Sequence, residues 1–448
     1  MNRRTFIKNT VLASGTLFIP DWLNAMPPVA ENVQVVIIGA GFSGLAAAYQ
    51  LHKKGISFVV LESRSRIGGR VFSHQMTDNL VVELGGEWIG NSHTRMQELC
   101  DEFKLPLENN QFDTHLIYKG GYSPAGTWDY SPQWKQKFEQ LLKDYRQMGE
   151  ADKHALDQYD WWRYLVNNGC EGRDLDIREL LDSTDFGESI RHVSAFAALS
   201  EYAESSPKNE MDLKIKGGNG RLAEAIASKI GREKIHLRQH VSRIVQGDEV
   251  TVEFSNGNRF TCHQVICTVP GFALSRINFQ PALPPEYTAA LNELQYARIN
   301  KHALHFGERF WKDESFDLVS DQGPHYFYHA TKNQKAKDGV LIAYSIGEKA
   351  AMNANNKEFA ADDVFRCLQP SFGDIKPLLK SHVNYYWGND EYSRGAYAMY
   401  GIGQWFSLRP ILEKPFGKVH FAGEHLADWQ GFMEGAINTG EAAAEAVI

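Results

Sequence analysis

Apolar positions fall into distinct textures along the chain. Val33-Gln34-Val35-Val36-Ile37-Ile38 is a nearly continuous apolar run of strand length, the pattern of a parallel strand buried on both faces. It runs into Gly39-Ala40-Gly41-Phe42-Ser43-Gly44, after which Leu45 to Lys54 reads as a helix closed by Gly55. A second apolar strand, Ser57 to Leu61, ends on Glu62. Strand, glycine turn, helix, strand and acid make a complete dinucleotide-binding unit. From about Asn91 to Asp212 the pattern changes to long helical stretches rich in Trp, Tyr, Gln and Lys, such as Pro132 to Gly149, with little β-branched content. That texture predicts a separate helical domain. From Ile215 short strands return: Lys216 to Gly220 precedes a helix, then Ile235 to Leu237, Val250 to Phe254 and Gln264 to Thr268 follow, with Asn256-Gly257 as a hairpin signal. A mixed region runs from about Arg298 to Asp390, and the C-terminal part is again a glycine-rich strand-to-helix passage.

Composition narrows the function. The chain has 448 residues, 43% hydrophobic and 23% charged, which is globular and excludes a disordered tail or a rod. A net charge of −8 without a basic block argues against nucleic acid and for small-molecule partners. Five scattered cysteines are too few for a disulfide scaffold and show no zinc spacing, so no metal is expected.

The first segment stands apart. Arg3 and Arg4, then Phe6-Ile7-Lys8, precede an apolar stretch from Val11 to Ile19. That stretch is far short of the ~20 residues a membrane helix needs but suits the core of a signal peptide. The order Arg-Arg-x-Phe-Ile-Lys resembles a twin-arginine signal, with Asn2 in place of the usual Ser and cleavage expected after Ala25. Residues 1–25 are therefore expected to engage the twin-arginine export machinery, giving a periplasmic or secreted protein with no stable membrane anchor. Removal of the leader takes away Arg3, Arg4, Lys8 and Asp21, leaving the remainder more acidic and mildly attractive to cations.

The glycine turn carries chemistry. Its glycines permit a tight bend, backbone approach to a pyrophosphate and close helix packing, while the helix N-terminus presents its positive dipole end to the phosphates. Glu62, 18 residues past Gly44, sits where a carboxylate accepts from ribose hydroxyls. The sequence beyond, Glu62-Ser63-Arg64-Ser65-Arg66-Ile67-Gly68-Gly69-Arg70, adds a second cradle that an NAD dehydrogenase does not need. Val82-Glu83-Leu84-Gly85-Gly86-Glu87-Trp88-Ile89-Gly90 is a further glycine-rich turn able to pass close to a ring system.

ESRSRIGGR, ELGGEWIG and the C-terminal HFAGEHLADWQGFMEGAINTGEAAAEA resemble the flavin-containing amine oxidase family, which includes monoamine, polyamine and L-amino acid oxidases. The resemblance covers the chain from Val33 onward. It implies an α/β (α+β) fold in which a Rossmann-type FAD-binding domain, residues 33–90, 214–296 and 394–448, interleaves with a sheet-plus-helices substrate domain, residues 91–213 and 297–393. It also implies, position by position, a pyrophosphate-facing turn at Gly39, Gly41, Phe42, Ser43 and Gly44, a ribose ligand at Glu62, and cofactor contacts at Ser63, Arg64, Gly69 and Arg70. Val241 matches the position whose backbone holds adenine, Glu424 after Gly423 the acid near the ribityl phosphate, and Gly431 through Ala436, with Met433 opening a helix, the flavin pyrimidine. Gly86, Glu87, Trp88 and Trp387 are expected beside the flavin.

At the reacting face, Lys301 resembles the lysine that holds a water on the flavin and assists the reaction with oxygen, and Tyr397 with Phe432 resembles an aromatic cage orienting the amine. Ala396 stands where some members carry a cysteine bonded to flavin, so FAD is expected to be non-covalent. The implied reaction removes a hydride from the carbon next to an amine nitrogen, the imine then hydrolysing and O2 becoming H2O2. No Arg follows the Gly85-Gly86-Glu87-Trp88 turn until Arg95, which favours an amine without a carboxylate. Glu87 is either a hydrogen-bonded turn residue or an anchor for a second ammonium. L-Amino acid oxidation and a flavin amine dehydrogenase with another acceptor remain alternatives. Dimers are common in such families.

Overall fold

The strand Ala30–Ile38 lies inside an eight-stranded sheet, parallel to Phe58–Glu62 on one side and to Arg259–Cys267 on the other. The computed structural model describes residues 30–428 and 430–448, so the expected leader at 1–25 lies outside the described residues. Val35, Val36, Ile37 and Ile38 are all buried, as an apolar run covered on both faces requires. Beyond Phe58–Glu62 the sheet continues to Ile235–Leu237. The long strand Arg259–Cys267 takes Val250–Phe254 antiparallel along its first half and Val419–Phe421 parallel along its second. The Asn256-Gly257 turn joins the antiparallel pair, with Gly257 at φ 86°.

Two helices cover this sheet where it matters for the site. Phe42–Lys53 follows the glycine turn, and Met433–Ala446 closes the chain against it. They cross so closely that a Cβ on Gly440 would stand 2.0 Å from the Ser43 carbonyl oxygen. Neither first turn carries a side-chain cap, since Gly41 and Phe432 occupy the N-cap positions. Their leading N–H groups thus stay available to an outside acceptor.

A second, seven-stranded sheet runs in the order Leu379–Tyr386, Ile299–Phe306, Gly339–Ile346, Tyr326–His329, Phe316–Ser320, Asp113–Tyr118, Gly121–Ser123. The last two strands correct the expectation of a purely helical middle segment. Asp113–Tyr118 is buried by parallel pairing with Phe316–Ser320, about 200 residues on, which local periodicity does not register. The helices Pro132–Tyr145, Gly172–Phe186 and Ala195–Glu204 do form there, and their apolar faces share a core with Trp161. The fold is mixed α/β. Among the described residues no helix is long and apolar enough to cross a membrane.

Candidate active site

The glycine turn has the geometry its sequence requires. Gly39 takes φ 104°, and a Cβ on Gly44 would lie 1.9 Å from the Gly39 carbonyl oxygen, so only hydrogen fits where the helix crosses the turn. Gly68 and Gly69 also take positive φ, and Gly69 approaches Gly41 so nearly that its Cβ would meet the Gly41 Cα at 3.0 Å. Two backbone turns are thereby pressed together at the helix N-terminus.

They wall one cavity of about 900 Å³, lined by Gly39, Gly41, Phe42 and Ser43 at one end and by Glu62, Ser63 and Arg64 at the strand tip. Glu62 accepts from the Ala40 N–H at 2.8 Å and the Arg64 N–H at 2.8 Å, which holds its carboxylate at the rim. Arg64 pairs with Asp390 and lies over the Tyr392 ring. Gly69, Arg70, Gly423, Glu424 and Ala436 complete the wall, and Arg70 is ion-paired with Glu424. Burial pushes the Glu424 carboxyl up, but the Arg70 guanidinium outweighs it and holds the group below the usual range.

Two expected contacts fall outside this cavity. Gly44 does not line it; its place is the helix–turn crossing, the packing role of the third glycine. Val241 does not line it either, being paired with Phe254 in the sheet, although the neighbouring His240 reaches Tyr392, which does. Thr268, Val269 and Pro270 line the cavity and carry no motif by which the sequence could single them out.

A second cavity, of about 1140 Å³, shares Arg70, Gly431, Phe432 and Met433 with the first, so the two meet at the start of the C-terminal helix. Gly86, Glu87, Trp88, Lys301, Trp387 and Tyr397 all face it. Trp387 is fixed by donating from Nε1 to the Leu84 carbonyl at 2.8 Å. Tyr397 packs against Gly431, and its hydroxyl donates to the main-chain oxygen of Asp185. Phe432 stands against His93, ring centroids 5.0 Å apart.

Lys301 projects from Ile299–Phe306, a strand buried along its whole length. Its Nζ donates to the Gly85 carbonyl at 2.9 Å, the Glu83 carbonyl at 3.3 Å and Glu87 Oε2 at 3.2 Å. Burial lowers its pKa, and Glu87 opposes that shift. Glu87 also accepts from the Tyr328 hydroxyl and pairs with Lys214 at 3.4 Å. The alternative of an ammonium anchor at Glu87 is thus corrected: at 2% exposed, its carboxylate is already shared between two lysines and a phenol. The second cavity also contains Leu181, Asp185, Glu201, Asp317, Tyr326 and Tyr344, none of which lies in a recognisable motif.

The first cavity is suited to a dinucleotide. The Ser43 hydroxyl is buried there with no hydrogen-bond partner, beside uncapped helix N–H groups and a cradle that a Cβ would fill. Among the described residues no cluster of His, Cys, Asp and Glu is arranged to hold a metal. None of the five cysteines lines either cavity.

Known proteins resemble this arrangement. A probable flavin-containing monoamine oxidase A of Dictyostelium discoideum is 26% identical, covering 91% of this chain and 95% of its own. Human amine oxidase [flavin-containing] B is 25% identical, covering 94% and 87%. The fold is shared with a putrescine oxidase bound to putrescine, TM-score 0.83 at 22% identity over 94% of this chain and 99% of that one. It is shared equally with cyclohexylamine oxidase from Brevibacterium oxydans, TM-score 0.83 at 24% identity over 93% and 98%. The sequence model of the flavin containing amine oxidoreductases matches residues 42–448. The chain belongs to that family and is an FAD-dependent amine oxidase.

Proposed function

We propose that the protein oxidises primary or secondary amines lacking a carboxylate, with non-covalent FAD and with O2 as acceptor. One observation carries the substrate class. Among the described residues the only cations lining the second cavity, Arg70 and Lys301, are already neutralised by Glu424 and Glu87. A substrate carboxylate would enter without a counter-charge, at the cost of desolvating an unpaired anion.

When bound, FAD would supply the two-electron chemistry of hydride removal from the carbon next to nitrogen and of oxygen reduction. The chain's own groups hold and orient. Ser43 and the uncapped N–H groups of its helix would hold the pyrophosphate, Glu62 the ribose hydroxyls, and the helix end at Phe432 and Met433 the flavin, where its dipole favours negative charge. Tyr397 and Phe432 would orient a neutral amine. The buried Lys301 would hold a cation beside the site of oxygen reduction.

The division into segments 33–90, 214–296 and 394–448 against 91–213 and 297–393 is supported by the strand membership of the two large sheets. Export through a twin-arginine leader at 1–25 is supported by the residues Arg3-Arg4-Thr5-Phe6-Ile7-Lys8.

A peroxide assay over monoamines, diamines and L-amino acids tests the reading. Amines should exceed L-amino acids in kcat/KM by about tenfold or more, and a preference for L-amino acids would contradict it. Acid precipitation should release all the flavin into the supernatant, because Ala396 offers no sulfur and no cysteine lines the cavities. Flavin retained in the pellet would overturn non-covalent binding.

A further inference from the structure

The second cavity holds more carboxyl groups than the reaction requires. Five carboxylates line it, Glu87, Asp185, Glu201, Glu210 and Asp317, against the two engaged cations. Glu87 is neutralised as described. Glu210 accepts from the Ser92 hydroxyl at 2.6 Å and stands 3.4 Å from His93 Nε2. Asp317 Oδ2 accepts from the Tyr326 hydroxyl at 2.7 Å.

The remaining two, Asp185 and Glu201, come from the helices Gly172–Phe186 and Ala195–Glu204; the nearest cation, Arg178, is paired with Asp182, and among the described residues neither carboxyl forms an ion pair. Asp185 accepts from the Tyr202 hydroxyl at 2.8 Å and is hydrogen-bonded to the Asn209 side chain, while among the described residues the Glu201 carboxylate has no ion-pair partner. Beside them Gln430, 6% exposed, turns a buried Oε1 without a partner to the same cavity. Asp317 Oδ1 is likewise buried and unpaired. Buried acceptors left open together ask for a donor, and carboxylates among them ask for a cation.

We propose that Asp185, Glu201 and Gln430 form a subsite for a second ammonium, so that the preferred substrates are diamines or polyamines. This rests on the amine-oxidase reading above and goes beyond it in substrate class.

The placement suits such a molecule. Tyr397 reaches from Gly431, at the junction of the two cavities, to the main chain of Asp185. A chain lying along that ring has its reacting amine at the cage and its far end beside these carboxylates. An ammonium offers three donors, enough for both carboxylates and the Gln430 amide oxygen. Burial and the nearby Asp182 push the Asp185 carboxyl up to about 7. Burial and the charges of Asp185, Glu210 and Asp182 push Glu201 well above the usual range. A cation would relieve both groups at once.

The test compares kcat/KM for propane-1,3-diamine to octane-1,8-diamine with that of the monoamine of equal length, using the FAD-loaded protein. The best diamine should exceed its monoamine by about tenfold or more. In Glu201→Gln and Asp185→Asn, two isosteric variants, that ratio should fall about tenfold. Monoamines equal to or better than diamines at every length would overturn the proposal. So would a diamine preference that survives both variants. If no amine is oxidised at any length, the amine-oxidase reading itself fails, a result distinct from a ratio near one.

Discussion

Lys301→Met should lower kcat/KM for O2 by ~10²–10³-fold, the cost of removing one preorganised electrostatic group from a water-poor site. The side chain is 3% exposed, and its three donors are fixed on Glu83, Gly85 and Glu87. It therefore holds a charge that needs no rearrangement as electrons move to oxygen. Met keeps the length and volume of the side chain but removes the charge. Stopped-flow mixing separates the two half-reactions: reoxidation by O2 should lose more than reduction by amine. Equal losses in both would point to a packing role. Glu87 retains Lys214 and Tyr328 in the variant, so the turn at Gly85-Gly86 keeps two of its anchors.

Arg70→Ala should cost about 3–5 kcal/mol and yield protein that loses FAD, because it strands the buried Glu424 without its cation. Glu424 is also tied to the Ala398 and Gly431 N–H groups, so its distress is passed to both cavities. The effect has a definite pH dependence. In the intact protein the lowered pKa of Glu424 contributes stability above the ordinary carboxylate range, and that contribution disappears as pH falls through the lowered value. Without Arg70, burial dominates and raises the pKa, so ionisation now opposes folding. The deficit should thus be small in acid, where Glu424 is protonated in both proteins, and full at neutral pH. Urea unfolding across that range measures it. Arg70→Ala/Glu424→Gln, which removes the stranded charge, should recover part of the loss. A deficit independent of pH would show that Arg70 acts through packing.

The parts legible in the sequence were those whose chemistry is local. Gly39, Gly44, Gly68 and Gly69 are required by backbone shapes and crossings within their own turns, and Glu62 follows from the strand that carries it. What escaped depends on distant partners. Glu87 is decided by Lys214, Lys301 and Tyr328, which are 127 to 241 residues away, and its own turn does not reveal them. Asp182 and Asp185 stand three residues apart on one helix. Asp182 accepts from Trp161 and pairs with Arg178, while Asp185 faces the cavity. Only the packing of neighbouring helices separates them. Val241 matches a family position in sequence, and the sheet register sets it just beyond the cavity wall.

The most direct measurement is anaerobic addition of a short diamine to the purified yellow protein, followed by air. The flavin absorbance should bleach with one equivalent of the amine, return on exposure to O2 and release peroxide equimolar with the amine consumed. A flavin that stays oxidised with every amine and L-amino acid, or that bleaches but is not reoxidised by O2, would contradict amine oxidation at the meeting point of these two cavities.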